Sequence, residues 1–146
     1  MSALVKMKLG KMTDRKALIR ALTLMCADVV QRHLRQDVEP TGRYIQGALK
    51  QAGVTRADVL IEKAAFAGYA DLAFAKTADV FQAYFDDMDQ HKIEEAFRCD
   101  RQFGPVLEQY YAAACAEQSL LQQGYTVEVA YDKTTQKVDL QAYAYA

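Results

Sequence analysis

Long apolar runs are missing from this chain. None approaches the roughly 20 residues that a membrane-spanning helix requires, and the first residues lack the apolar core of a secretory signal. A cytoplasmic location with no membrane partner is the expectation. A surplus of one charge sign is also missing: 18 Lys and Arg stand against 19 Asp and Glu, for a formal net charge of −1. That balance gives no global attraction to phosphate backbones, so a nucleic-acid partner would need a local basic patch. Cysteine is scarce. Cys26, Cys99 and Cys115 are odd in number and show no CxxC spacing, and the two histidines, His33 and His91, stand at no metal-finger spacing from them. These shortages argue against a disulfide framework and a zinc module and leave three reduced thiols. Neither GxxxxGK[ST] nor GxGxxG occurs, so the familiar phosphate-cradling loops are absent and no cofactor is expected. Internal repeats and low-complexity linkers are absent too.

What is present fits a globular chain. Across 146 residues, 51% are hydrophobic and 25% charged, enough to bury a core, and one α+β domain spanning 1–146 is expected. The clearest pattern runs from Phe103 to Tyr145. Leu107, Tyr110, Tyr111, Ala114, Gln118 and Leu121 recur at helical spacing, with Pro105 suited to a first turn and Gly124 to the position just past the end. Tyr125, Val127, Val129 and Tyr131 then alternate with polar or small residues. So do Val138, Leu140, Ala142 and Ala144, and the short polar link Asp132 to Lys137 predicts an antiparallel hairpin. This unit is expected to supply both a core helix and half of a sheet.

Earlier in the chain, Ala3 to Leu9 reads as an opening strand. Thr13 or Asp14 caps a helix whose apolar face runs through Leu18, Leu22, Met25 and Val29 and which ends within Gln31 to Gln36. Asp37 to Gly42 reads as a loop. Tyr44 to Ala52 fits a short helix stopped by Gly53, or a strand entry at Arg43 to Gln46. Ala57 to Lys63, Tyr69 to Ala75 and Val80 to Phe85 read as strands, and Gln90 to Cys99 as a helix. The sum is an antiparallel-rich sheet with two main helices packed on one face, broadly ferredoxin-like, ending in a β-hairpin.

Three groups of residues invite a chemical reading. Asp86, Asp87 and Asp89, with His91 close behind, offer ligands for a divalent cation, although the glycine and terminal glutamate of a calcium loop are missing. A solvated acidic loop is the simpler reading. Lys6, Lys8, Lys11, Arg15, Lys16 and Arg20 are interrupted by Asp14 and carry no interleaved aromatic residue, which favours a solvated face over a nucleic-acid site. His33, near a helix C-terminus, suits a capping role. Tyrosines gather in the helix-hairpin unit, where alternation sets Tyr143 and Tyr145 opposite the Val138, Leu140, Ala142 and Ala144 face. With Tyr131 they form a protein-contact surface, or they are ordinary strand residues with helices over both sheet faces.

The order of the motifs resembles the hypothetical-chloroplast-frame (ycf) 35 family, a domain of unknown function (DUF 1257). The matching residues are Thr13-Asp14-Arg15-Lys16-Ala17-Leu18, Ala57-Asp58-Val59-Leu60-Ile61, Gly68 to Phe74, and Phe103 through Gln109-Tyr110-Tyr111 to Gln123-Gly124-Tyr125-Thr126-Val127. The stretch Ala27 to Gln51 is longer and more helical than the family pattern. The resemblance carries over no catalytic residue. That family occurs in plastids, bacteria and phages, and some members are encoded beside MoxR-type AAA+ ATPases, which implies an accessory or adaptor role. Two functional classes follow: a non-enzymatic protein-binding or adaptor domain, able to self-associate as a homo-oligomer, and a small metal-dependent or nucleotide-directed enzyme built on Asp86, Asp87, Asp89 and His91. The missing catalytic signatures favour the first, of which a phage-encoded inhibitor of a host protein is a special case.

Overall fold

The computed structural model describes residues 4–8 (backbone only), 11–100, 102–132, 134–135 and 137–144. Strand β1 is Leu4–Lys8. Helix α1, Arg15–Met25, starts where the Asp14 carboxylate accepts the Lys16 N–H at 2.9 Å, satisfying a donor with no partner inside the helix. At Cys26 the backbone turns extended, with φ −157° and ψ 97°, and helix α2, Ala27–His33, sets off separately. One continuous helix was the expectation. The apolar stripe passes through Cys26 unbroken, so side-chain spacing could not show the turn.

Strand β2, Leu34–Val38, then occupies residues read as a helix end and a loop. It was missed because three of its five residues are exposed and show no alternation. Helix α3 is Arg43–Gln51, followed by Gly53 at φ +82°. Strands β3, Ala57–Ile61, β4, Leu72–Thr77, and β5, Val80–Asp86, form a continuous meander. Helix α4, Gln90–Ala96, stops earlier than expected because Arg98 adopts φ +58°. Helix α5 is Phe103–Gln122, and strands β6, Tyr125–Asp132, and β7, Lys137–Ala144, complete the α+β chain.

Five strands make one sheet in the order β1-β5-β4-β3-β2, each antiparallel to its neighbours. The ferredoxin-like likeness therefore extends to the α+β class and to two main helices on one face, while α3 covers the other face. It does not extend to strand order, because β1 lies at an edge beside β5 and pairs antiparallel, whereas a split βαβ unit seats its first strand inside the sheet.

Side-chain alternation divides the sheet into two dry faces. Val59, Ile61, Leu72, Phe74, Phe81 and Phe85 pack with Leu18 and Leu22 of α1 and with Val106 and Leu107 of α5, so the two main helices share one face. On the other face, Leu60, Ala73, Ala75 and Tyr84 pack with Ile45 and Leu49 of α3. Alanine at two of those sheet positions leaves room for a short helix to lie close. Each large side chain buried here contributes about 1.5–3 kcal/mol relative to exposure.

Polar contacts fix the layers laterally. Arg20 on α1 donates through Nε and Nη2 to the two carboxylate oxygens of Glu117 on α5, at 2.6 and 2.9 Å. Glu117 is 5% exposed, and its hydrogen bond holds the Arg20 pKa above its ordinary value. The Tyr111 hydroxyl accepts the N–H groups of Thr13 and Asp14 at 3.1 and 3.0 Å, tying α5 to the start of α1. Buried Asp71 accepts from the Thr41 N–H and hydroxyl and from the Lys63 N–H. That one carboxylate joins the loop after β2 to the turn after β3.

Candidate protein-contact surface

The terminal hairpin is a second sheet of two strands, in register from Asp132↔Lys137 to Tyr125↔Ala144. Gly124, at φ +90°, makes it possible: this left-handed residue ends α5 and sends β6 back along the helix. At the far end Asp132 accepts the N–H groups of Thr134 and Thr135 at 2.9 and 3.4 Å. Those two donors hold its carboxyl below the usual range.

Tyr125, Val127, Val129, Tyr131, Val138 and Leu140 are half-buried on the α5 side, while Thr126, Glu128, Ala130, Asp139, Gln141 and Tyr143 are exposed. Ala142 and Ala144 belong to the inner row yet are exposed as well. No described hairpin residue is fully buried. The expectation that this unit supplies a core helix and half of a sheet is corrected in its second part: α5 packs in the core, and the hairpin is a sheet of its own lying over the helix's outer side. The alternation was legible, but the main sheet already has helices on both faces, and among the described residues the hairpin packs chiefly on α5.

Tyr143 is 48% exposed, and its hydroxyl donates to Gln141 Oε1 at 2.7 Å on the outer face. Tyr145 lies outside the described residues. Tyr131 faces inward, where its ring stacks on Tyr110 with centroids 6.0 Å apart. Its hydroxyl donates to both carboxylate oxygens of Asp100, at 2.8 and 2.9 Å. Nothing in the sequence links Tyr131 with Asp100, 31 positions away; only the path of β6 past the end of α4 brings them together.

Two clefts flank the hairpin. On the β6 side, about 500 Å³ is lined by Met25, Phe97, Cys99, Val106, Tyr110 and Tyr131. Burial, together with the charges of Glu94 and Asp100, pushes the Cys99 thiol up to about 12. It is a protonated thiol at neutral pH and a poor nucleophile. On the β7 side, an open groove of about 460 Å³ runs along α5, lined by Gln109, Ala112, Ala113, Lys137, Val138 and Leu140.

Asp86 and Asp89 serve backbone donors. Asp86 Oδ1 accepts the Met88 N–H at 2.9 Å. Asp89, fully buried, accepts from the N–H groups of Tyr69 and Ala70 at 2.9–3.1 Å. Asp87 is exposed on the turn between them, and His91 is exposed with Nε2 3.0 Å from Glu95. Among the described residues no three His, Cys, Asp or Glu side chains converge as a metal site would require. Of the basic residues, Arg15 is paired with Asp37 at 2.8 Å and Arg20 with Glu117. His33 closes α2, with Nδ1 3.5 Å from Glu62.

Fold and surface together define an α+β domain with a five-stranded core sheet and a separately sheeted terminal hairpin, and no helix among the described residues is long and apolar enough to cross a membrane. Comparison with protein-family models, with curated proteins and with solved structures returned no match.

Proposed function

We propose that this chain is a non-enzymatic protein-binding or adaptor domain and that the outer face of its terminal hairpin is the contact surface. The observation that carries the reading is Tyr143, a large aromatic side chain 48% exposed on a hairpin that stands outside the core. Tyrosine at such a position offers apolar area and a hydroxyl with little conformational freedom to lose, the combination that protein interfaces favour. The enzyme alternative draws no support from its residues, since the Asp86 and Asp89 carboxylates already accept backbone N–H groups. Following the resemblance in the motif order, an AAA+ ATPase is the first partner to test.

The test is capture of partners on the tagged protein in its native cell, comparing wild type with Tyr143→Ser. An interface anchor is worth about 2 kcal/mol or more, so recovery of a specific partner should fall more than tenfold while circular dichroism stays unchanged. A folded variant with undiminished recovery overturns the assignment of Tyr143.

A further inference from the structure

We propose that a second copy of this chain adds to the outer edge of β7, pairing the two β7 strands antiparallel about a two-fold axis at Leu140. The proposal rests on the protein-binding reading above and names one partner for it. Its starting point is that, among the described residues, the hairpin sheet has two strands and β7 meets another strand on one side only.

The two sides of the hairpin differ. On the β6 side, Tyr131 reaches Asp100 and the walls come from Phe97, Cys99 and Tyr110. On the β7 side the strand borders the open groove along α5. Its sequence, Lys137–Ala144, contains no proline or glycine and only two charges, of opposite sign. Exposed strands of that kind pair readily unless something blunts them.

The β2 edge shows what blunting looks like in this same protein. Asp37 sits there at φ +53°, its carboxylate is held by Arg15 at 2.8 Å, and its carbonyl accepts the Arg56 Nε–H at 2.9 Å. The paired positions skip Asp37. Among the described residues β7 carries no such device.

The occupant follows from complementarity. A two-fold axis normal to an antiparallel pair places one residue opposite itself and keeps the α5-facing rows of both copies on the same side. With Leu140 at the axis, Val138 meets Ala142 of the second copy on the inner row. On the outer row Asp139 meets Gln141 of the second copy, and Lys137 meets Tyr143 of the second copy. Every pair is compatible: apolar with apolar, carboxylate with amide, and ammonium with an aromatic ring. Centring on Asp139 would set that carboxylate against itself, and centring on Gln141 would carry Lys137 past the end of the described strand. The β6 edge is less suitable, because Glu128 and Asp132 share its outer row and give it negative charge alone. The exposed, small Ala142 leaves room for Val138 of the second copy, and the joined hairpins display Tyr143 twice on one four-stranded outer face.

Sedimentation of the full chain over a concentration series tests this with two substitutions on the exposed row. Gln141→Lys sets an ammonium opposite Asp139 twice per dimer and should tighten the dimer about fivefold, whereas Gln141→Asp sets carboxylate against carboxylate and should weaken it by a similar factor. Leu140→Cys should form a disulfide-linked dimer under mild oxidation, because opposed residues bring their Cα atoms to about 4.5–5.5 Å. Wild type, with the same three native thiols, and Glu128→Cys should not. A chain that stays monomeric at roughly 500 µM overturns the proposal, as does a dimer indifferent to both Gln141 substitutions or one in which Leu140→Cys fails to link. A monomer that still loses its partner on Tyr143→Ser removes self-pairing and leaves the adaptor reading standing. Gln141 effects as expected, with partner recovery unmoved by Tyr143→Ser, uphold self-pairing and remove the adaptor reading.

Discussion

Tyr131→Phe should loosen the hairpin and leave the core as it is. The substitution keeps the ring that stacks on Tyr110 and deletes the hydroxyl that donates to Asp100. A hydrogen bond to a charged acceptor contributes about 1.5–3 kcal/mol when shielded, but Asp100 is exposed and water replaces part of the loss, so about 1 kcal/mol is expected. That corresponds to roughly a fivefold rise in local opening. Hydrogen exchange is the appropriate assay, since it reads opening segment by segment. Amides of β6 and β7 should exchange about fivefold faster, while those of β3, β4 and β5 and the urea midpoint of the core stay within error, because no described hairpin residue is fully buried. Asp100→Asn, which keeps an acceptor, should show a smaller effect. Equal acceleration in hairpin and main sheet would refute the reasoning, since it would make the hairpin part of the core's cooperative unit.

Two further outcomes follow from buried groups. Arg20→Ala leaves the nearly buried Glu117 carboxylate without its bidentate partner and should cost about 1–3 kcal/mol by urea denaturation, discounted for the half-exposed guanidinium. Arg20→Met combined with Glu117→Leu should recover most of that, and a single-variant cost no larger than that of an ordinary surface pair would contradict it. The second outcome concerns alkaline pH. Cys99 is raised from 9.0 to about 12 by burial and by the neighbouring Glu94 and Asp100 charges, so the folded state holds the thiol proton more tightly than the unfolded chain does. The resulting stability is fully present below about pH 9 and is lost as pH rises toward about 12. Tyr110, raised chiefly by burial, acts in the same direction. Urea midpoints should therefore fall from about pH 9 upward, less steeply in Cys99→Ala, and identical slopes in the two proteins would count against the Cys99 contribution.

The elements legible in the sequence are those whose periodicity and boundaries agree. Strand β3 and the β4-β5 hairpin carry apolar runs bounded by polar turns, and α5 begins near Pro105 and ends before Gly124. Two features stayed hidden for opposite reasons. The break at Cys26 lies inside a continuous apolar stripe, so periodicity was present where the helix was not. Strand β2 is an exposed edge, so a strand was present where alternation was not. In both places packing decides: α2 turns to reach β3, and the hydrogen-bonding edge of β3 recruits a polar segment whose composition suggested a loop.

The candidate site divides along the same physical line. Alternation alone put Tyr143 on the outer face, because a strand's side chains switch sides at each residue whatever covers them. How deeply each row is buried was beyond its reach, since that depends on what lies underneath. Among the described residues α5 is the main element beneath the hairpin, which turns the presumed core row into a half-buried one and leaves Ala142 and Ala144 exposed. Tyr131 shows the same dependence from the other side: its place in the inner row could be read, but its use could not, because Asp100 comes from a segment with no periodicity. A surface read from a strand pattern therefore specifies which residues share a face. How deeply each row of that face is buried is determined by the layer behind it, and among the described residues that layer is chiefly α5, bordered on the β7 side by an open groove.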